Sequence, residues 1–301
     1  MKISAKEKLA LAEKLKEYTL AEVDTMLQYV NVAGLNQLVL DRIFYLFIEL
    51  DNRISTLYDI ITPEEWNSVV TSYATPLEDD SLVSLKEDVR LYTQAFRKFI
   101  THLASLDFEN IIYFFEKYVL VSRCRHTQFI IFTLCQQNPP LLFGYLISQI
   151  KSKIGNRLSL NYITYFVSLL VRCKMEDSNF NLCIRHVLNI TSKIKSNTNA
   201  LFILCAQSLI YICCFHPRIH TEMIGDISVK DFITELFRKD VVGLMNPNVI
   251  NQYCGLYNIE YGNAFIKYDC DLLYFFPFDP PVIDSIKNIY KNSYVEFRRQ
   301  E

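Results

Sequence analysis

The sequence predicts an all-α fold, a HEAT-like helical-repeat solenoid of about a dozen antiparallel helices, with residues 1–301 forming a single helical-repeat domain. Three observations carry that expectation. Half of the 301 residues are hydrophobic and 14% aromatic, yet there are only 7 glycines and 9 prolines, too few for the turns of an all-β chain. Helix-start signatures recur from end to end. Between them apolar residues advance by threes and fours, and no run alternates with comparable strength.

Thr19-Leu20-Ala21-Glu22 has the form of a capping box, in which the Thr oxygen and the Glu carboxylate satisfy amides that lack partners within the helix. Val23, Met26, Leu27 and Val30 follow on one face. Thr62-Pro63-Glu64-Glu65 joins a capping Thr to a first-turn Pro and acid. Residues 71–88, which include Glu78-Asp79-Asp80 among Ser, Thr and Pro, read as a short acidic loop. A second capping box, Ser84-Leu85-Lys86-Glu87, is expected to close it. Leu85, Val89, Tyr92, Phe96, Phe99, Ile100 and Leu103 then form one apolar stripe.

Asn138-Pro139-Pro140 and Asn246-Pro247 each end one helix and start another. The run Ala200 to Phe215 is shorter than the ~20 residues needed to span a bilayer and is expected to be a buried core helix. Ser228-Val229-Lys230-Asp231 opens a helix carrying Ile233, Leu236 and Phe237. Asp279-Pro280 is expected to open the last one, with Ile283, Ile286, Tyr290 and Phe297.

Chemistry-bearing patterns are sparse. The glycines lie singly from Gly34 to Gly262, so no phosphate-cradling loop forms, and G-x-S-x-G and H-E-x-x-H are missing. The chain is therefore expected to be no enzyme, with no catalytic residues and no cofactor. Nine cysteines without a paired framework suit reduced thiols of the cytosol or nucleus. The charged N-terminal segment lacks the apolar core of a secretory signal. Cys213, Cys214, His216 and His220, and the pair Cys183 and His186, carry zinc-type donors, but they lack paired knuckles and are read as buried thiols, with no metal site.

A formal charge of −2 excludes a global field for phosphate backbones, so direct DNA contact is expected to be weak at most. Local basic groups remain. Arg123 and Arg125, beside His126, and Lys151 and Lys153 are the candidate partner-binding residues. Ser81 and Ser84 lie among acids and are candidate phosphorylation positions, although Ser84 also fits the capping role.

Five blocks in order carry a resemblance. Thr127-Gln128-Phe129-Ile130-Ile131-Phe132 resembles a V-Q-F-L-L-F motif, and the stretch Tyr165 to Lys174 resembles Y-x-x-S-F-x-A-R-A-K. Cys205 to Phe215 resembles C-Q-x-hydrophobic-x-Y-x-F-C-F, Met245-Asn246-Pro247 resembles L-N-P, and Tyr274-Phe275-Phe276-Pro277-Phe278-Asp279-Pro280 resembles a C-terminal signature. Together they resemble the RNA polymerase I-specific transcription initiation factor family, over roughly Leu38 to Phe297.

That resemblance implies a HEAT-like protein that binds RNA polymerase I and bridges it to promoter-bound core initiation factors at ribosomal RNA genes, by protein–protein contact alone. It also implies a nuclear, nucleolar location, a homodimer when free, no membrane association and growth-dependent phosphorylation. Two features depart from the family: the acidic loop is short, and His216 stands where the family has a basic residue. A generic helical-repeat adaptor in nuclear transport or trafficking shares the periodicity and is the alternative reading.

Overall fold

A computed structural model describes residues 4–58, 60–61, 64–66, 69, 80–122, 124–154, 156–173, 177–193, 200–224, 226–262, 283–292 and 294. The fold is all-α, and the only sheet among the described residues is a two-stranded hairpin, Met223–Ile224 with Ile227–Ser228. Helices adjacent in the fold pack on one another along their apolar faces, the organisation of a helical repeat. No described helix is long and apolar enough to cross a membrane.

The folded chain clusters into two compact units. The first comprises residues 1–137 and 280–291, the second residues 138–279 and 292–301. In the first unit α1 spans Ala5–Leu15, α2 Val23–Leu27, α3 Asn36–Tyr58, α4 Asp80–Leu103, α5 Phe108–Phe114 and α6 Ile131–Gln137. The second holds α7 Pro139–Ser152, α8 Arg157–Arg172, α9 Asp177–Lys193, α10 Ala200–Phe215, α11 Val229–Arg238 and α12 Pro247–Tyr257. A last turn, α13 Asp284–Lys287, belongs to the first unit.

Most capping signals act as the sequence suggests. Thr19 accepts from the Ala21 amide while Glu22 reaches back to the Thr19 amide, although the element it opens is a 3-10 turn, Leu20–Glu22, that leads into α2. Asn138, Ser228 and Asn246 cap α7, α11 and α12 through their side chains. All seven apolar stripe residues of α4 are buried, and α10 is buried from Leu201 to Cys214.

Three expectations need correction or fall away. The loop at 71–88 ends earlier, because α4 begins at Asp80, and Ser84 lies inside the helix rather than capping it. The apolar stripe favours helix back to Leu85, and Asp88 is held by a two-pronged Arg53 guanidinium, which secures the turn before Val89. The final helix is one turn within the described residues, and Tyr294 instead forms a β-bridge with Cys173. Thr62 and Pro63, residues 71–79, and the signature Tyr274 to Pro280 with Phe297 lie outside the described residues.

The core of the first unit is aromatic. Phe47 of α3 meets Tyr92, Phe96 and Phe99 of α4 at ring-centroid distances of 5.3, 5.5 and 5.2 Å, and Phe44 stacks on Phe114 at 5.4 Å. At its edge sits a buried carboxylate. Asp51, fully enclosed on α3, accepts the backbone N–H groups of His126 at 2.8 Å and Thr127 at 2.6 Å, the Thr127 hydroxyl at 2.8 Å and the His126 Nδ1 at 2.8 Å. Tyr92 joins through a 2.9 Å hydroxyl pair with Thr127.

Burial by itself pushes the Asp51 carboxyl up, but the His126 charge and these donors outweigh it and hold the group below its ordinary value. Its contribution to stability is therefore present above the unfolded carboxyl value of ~4 and is lost as pH falls through the lower folded value. Asp51→Asn is expected to lower the unfolding free energy by about 3 kcal/mol or more, since it places an amide donor against buried donors. Urea titrations over a range of pH check this, and the variant should lose the wild-type stability difference between neutral and strongly acidic pH that this carboxylate contributes.

Candidate interaction surface

Of the four basic residues expected to meet a partner, three are described, one in the first unit and two in the second. Arg123 lies outside the described residues, and Arg125 is half-buried in the first unit, on the loop whose amides turn toward Asp51. Lys151 and Lys153 belong to the second unit, at the C-terminal end of α7, where a cation complements exposed carbonyls. Lys153 is committed to structure: its Nζ donates to the Tyr162 hydroxyl at 3.0 Å and sits 4.6 Å from that ring's centroid. Lys151 is exposed and borders a groove.

That groove runs between α7 and α9 and encloses about 640 Å³. Its apolar lining comes from Pro140, Phe143 and Ile147 of α7 and Leu182 of α9, and Leu182 is 54% exposed. Gly144 widens it, because a side chain there would meet nothing within 4 Å. Lys151 and His186 stand together at one end, and burial, then the Lys151 charge, hold the imidazole below its ordinary value. Near neutral pH the groove therefore presents an apolar wall with one cation, suited to packing against a partner's side chains.

The sulfur and imidazole groups serve packing. Cys213 and Cys214 are enclosed in α10, and burial pushes the Cys213 thiol up to about 12 and Cys214 further still. His216 lies 4.5 Å from the Phe180 ring and His220 stacks on Tyr257 at 4.1 Å. Among the described residues no three His, Cys, Asp or Glu side chains converge as metal ligands. Ser81 and Ser84 are both exposed on α4.

The resemblance blocks turn out to contain the buried polar links of the fold. Thr127 is bonded to Asp51, and Gln128 donates to the Arg125 carbonyl at 2.9 Å. Arg172, 5% exposed, spreads its guanidinium over Phe215 at 4.6 Å and Tyr294 at 5.4 Å. Gln207 of α10 accepts the Asn246 amide at 2.7 Å, so two of the blocks bind each other.

No protein-family model and no curated protein matches the sequence. The fold is similar to a solved structure, the crystal structure of RNA polymerase I transcription initiation factor Rrn3, at 16% identity and a TM-score of 0.69. The likeness is one of fold. It covers 96% of this chain and 69% of the Rrn3 chain. In this chain the resemblance blocks are largely buried, so residues that touch a partner must be sought on exposed faces.

One exposed feature escaped the sequence reading. Lys86, Arg90 and Arg97 line one face of α4 beside a second groove, of about 730 Å³. Treating residues up to 88 as loop split this stripe, although the offsets of four and eleven residues would have revealed it on a helix starting at Asp80.

Thiol chemistry tests the buried-cysteine geometry. In the native protein Cys205, Cys213 and Cys214 are expected to resist an alkylating reagent that modifies the half-exposed Cys254, and all four should react in denaturant. Mass-spectrometric counting of adducts reads the result, and excess chelator should leave Tm unchanged.

Proposed function

We propose that this chain is a transcription initiation factor that binds RNA polymerase I and bridges it to promoter-bound core factors at ribosomal RNA genes, through protein contacts and without catalysis. The observation that carries the reading is the Rrn3 likeness, which extends over 96% of the chain. The five sequence blocks point to the same family in order, and they are independent of the coordinates. A nuclear, nucleolar location and a homodimer in the free state belong to the same reading.

The α7–α9 groove with Lys151 supplies one contact surface and Arg125 a second, each in its own unit. Ser81, in the first turn of α4, is the better-placed phosphorylation position, because a phosphate there meets the positive end of the helix. Direct DNA contact through Arg125 and Lys151 is a minor contribution under a net charge of −2.

The purified chain is expected to retain intact RNA polymerase I in a direct pull-down without nucleotide or added metal. Loss of pre-ribosomal RNA synthesis should follow its depletion from cells. Absence of retention at micromolar concentrations would sink the reading, and unchanged synthesis after depletion would favour a generic nuclear-transport adaptor.

A further inference from the structure

We propose that the groove along α4 docks an acidic peptide segment of a partner protein, one in which carboxylates are spaced by apolar residues. The inference does not depend on which partner the chain serves. Lys86, Arg90 and Arg97 are separated by four and seven residues, so their side chains leave the helix within about 40° of one another along about 16 Å. An extended chain covers that distance in about five residues.

The cations are available. Among the described residues neither Lys86 nor Arg97 has an ion-pair partner. Among the described residues Arg90 pairs with Glu87 alone, and both side chains are more than half exposed, at 54% and 60%, so the pair is weak enough to exchange for an incoming carboxylate. The floor is apolar: Val69, Val89 and Ile283 are 4%, 6% and 2% exposed beneath the basic edge. A duplex backbone has no use for such a floor, whereas aliphatic or aromatic side chains between carboxylates would cover it.

The site is also rigid. The opposite face of α4 carries Tyr92, Phe96 and Phe99, all fully buried, so the basic stripe is held in place before a partner arrives. The helix backbone then needs no ordering on binding, and the cost on the protein side is that of immobilising the Lys and Arg side chains. Arg guanidinium groups offer paired donors matched to carboxylates, which favours an acidic peptide over a diffuse anion.

The test is fluorescence anisotropy of the full chain with a short labelled peptide alternating Glu or Asp with Leu or Phe, beside its Gln/Asn counterpart and a labelled DNA duplex. The acidic peptide is expected to bind, to weaken as salt rises, and to lose about tenfold in affinity in Lys86→Glu/Arg97→Glu, while Lys230→Glu on the other unit has no effect. A thermal melt confirms folding, and Lys86→Gln/Arg97→Gln replaces the reversal if that variant unfolds. Equal binding of the neutral peptide, unchanged affinity in the folded double variant, or tighter duplex binding lost in that same variant would each overturn the proposal. Because the probe is synthetic, its result reads separately from any polymerase pull-down.

Discussion

The Asp51 carboxylate is the constraint on which the first unit depends. A single buried acid on α3 collects amides from a loop more than seventy residues away, at His126 and Thr127, and so fixes where the 3-10 turn Thr127–Ile130 begins. Through Thr127 it reaches the Tyr92 hydroxyl on α4, where burial followed by the Asp51 charge drives the phenol well above its ordinary value. A buried anion is expensive unless its lone pairs are taken up, and here the loop can satisfy it in only one register. The aromatic contacts of Phe47 with α4 would tolerate some sliding; the hydrogen bonds on Asp51 do not.

A comparable logic operates in the second unit with fewer charges. Arg172 is sandwiched by Phe215 and Tyr294, and Gln207 receives the amide that starts α12. Each device sits on a nearly all-apolar helix surface and selects one pairing among many that hydrophobicity alone would permit. Apolar positions can exchange among Leu, Ile, Val and Phe with little cost to packing, whereas a Gln or Arg that closes a buried hydrogen bond or ring stack has few substitutes.

Surfaces follow from the same division. Helices that spend one face on the core leave the other to side chains with no structural partner, and the two grooves occur where neighbouring exposed faces fail to fill the space between them. One is mainly apolar with a cation at its end; the other has an apolar floor beneath a basic edge. Lys153 shows why a basic residue in sequence is a poor guide to such surfaces, since its charge is spent on Tyr162 nine residues further on.

Local rules were enough for much of this molecule. The caps at Thr19, Asn138, Ser228 and Asn246, the α4 stripe from Leu85 to Leu103 and the enclosed helix Ala200–Phe215 are all written in nearest-neighbour chemistry, because capping and 3.6-residue periodicity act within a few turns. The start of α4 at Asp80 was obscured by an acidic, serine-containing stretch that resembles a loop until Arg53 arrives from α3 to hold Asp88. Clustering into two units, the meeting of Asp51 with Thr127 and the alignment of Lys86, Arg90 and Arg97 over buried Val69 and Ile283 depend on contacts between distant segments. A sequence pattern gives each helix its inward face; which helix it faces is decided only when the whole chain has packed.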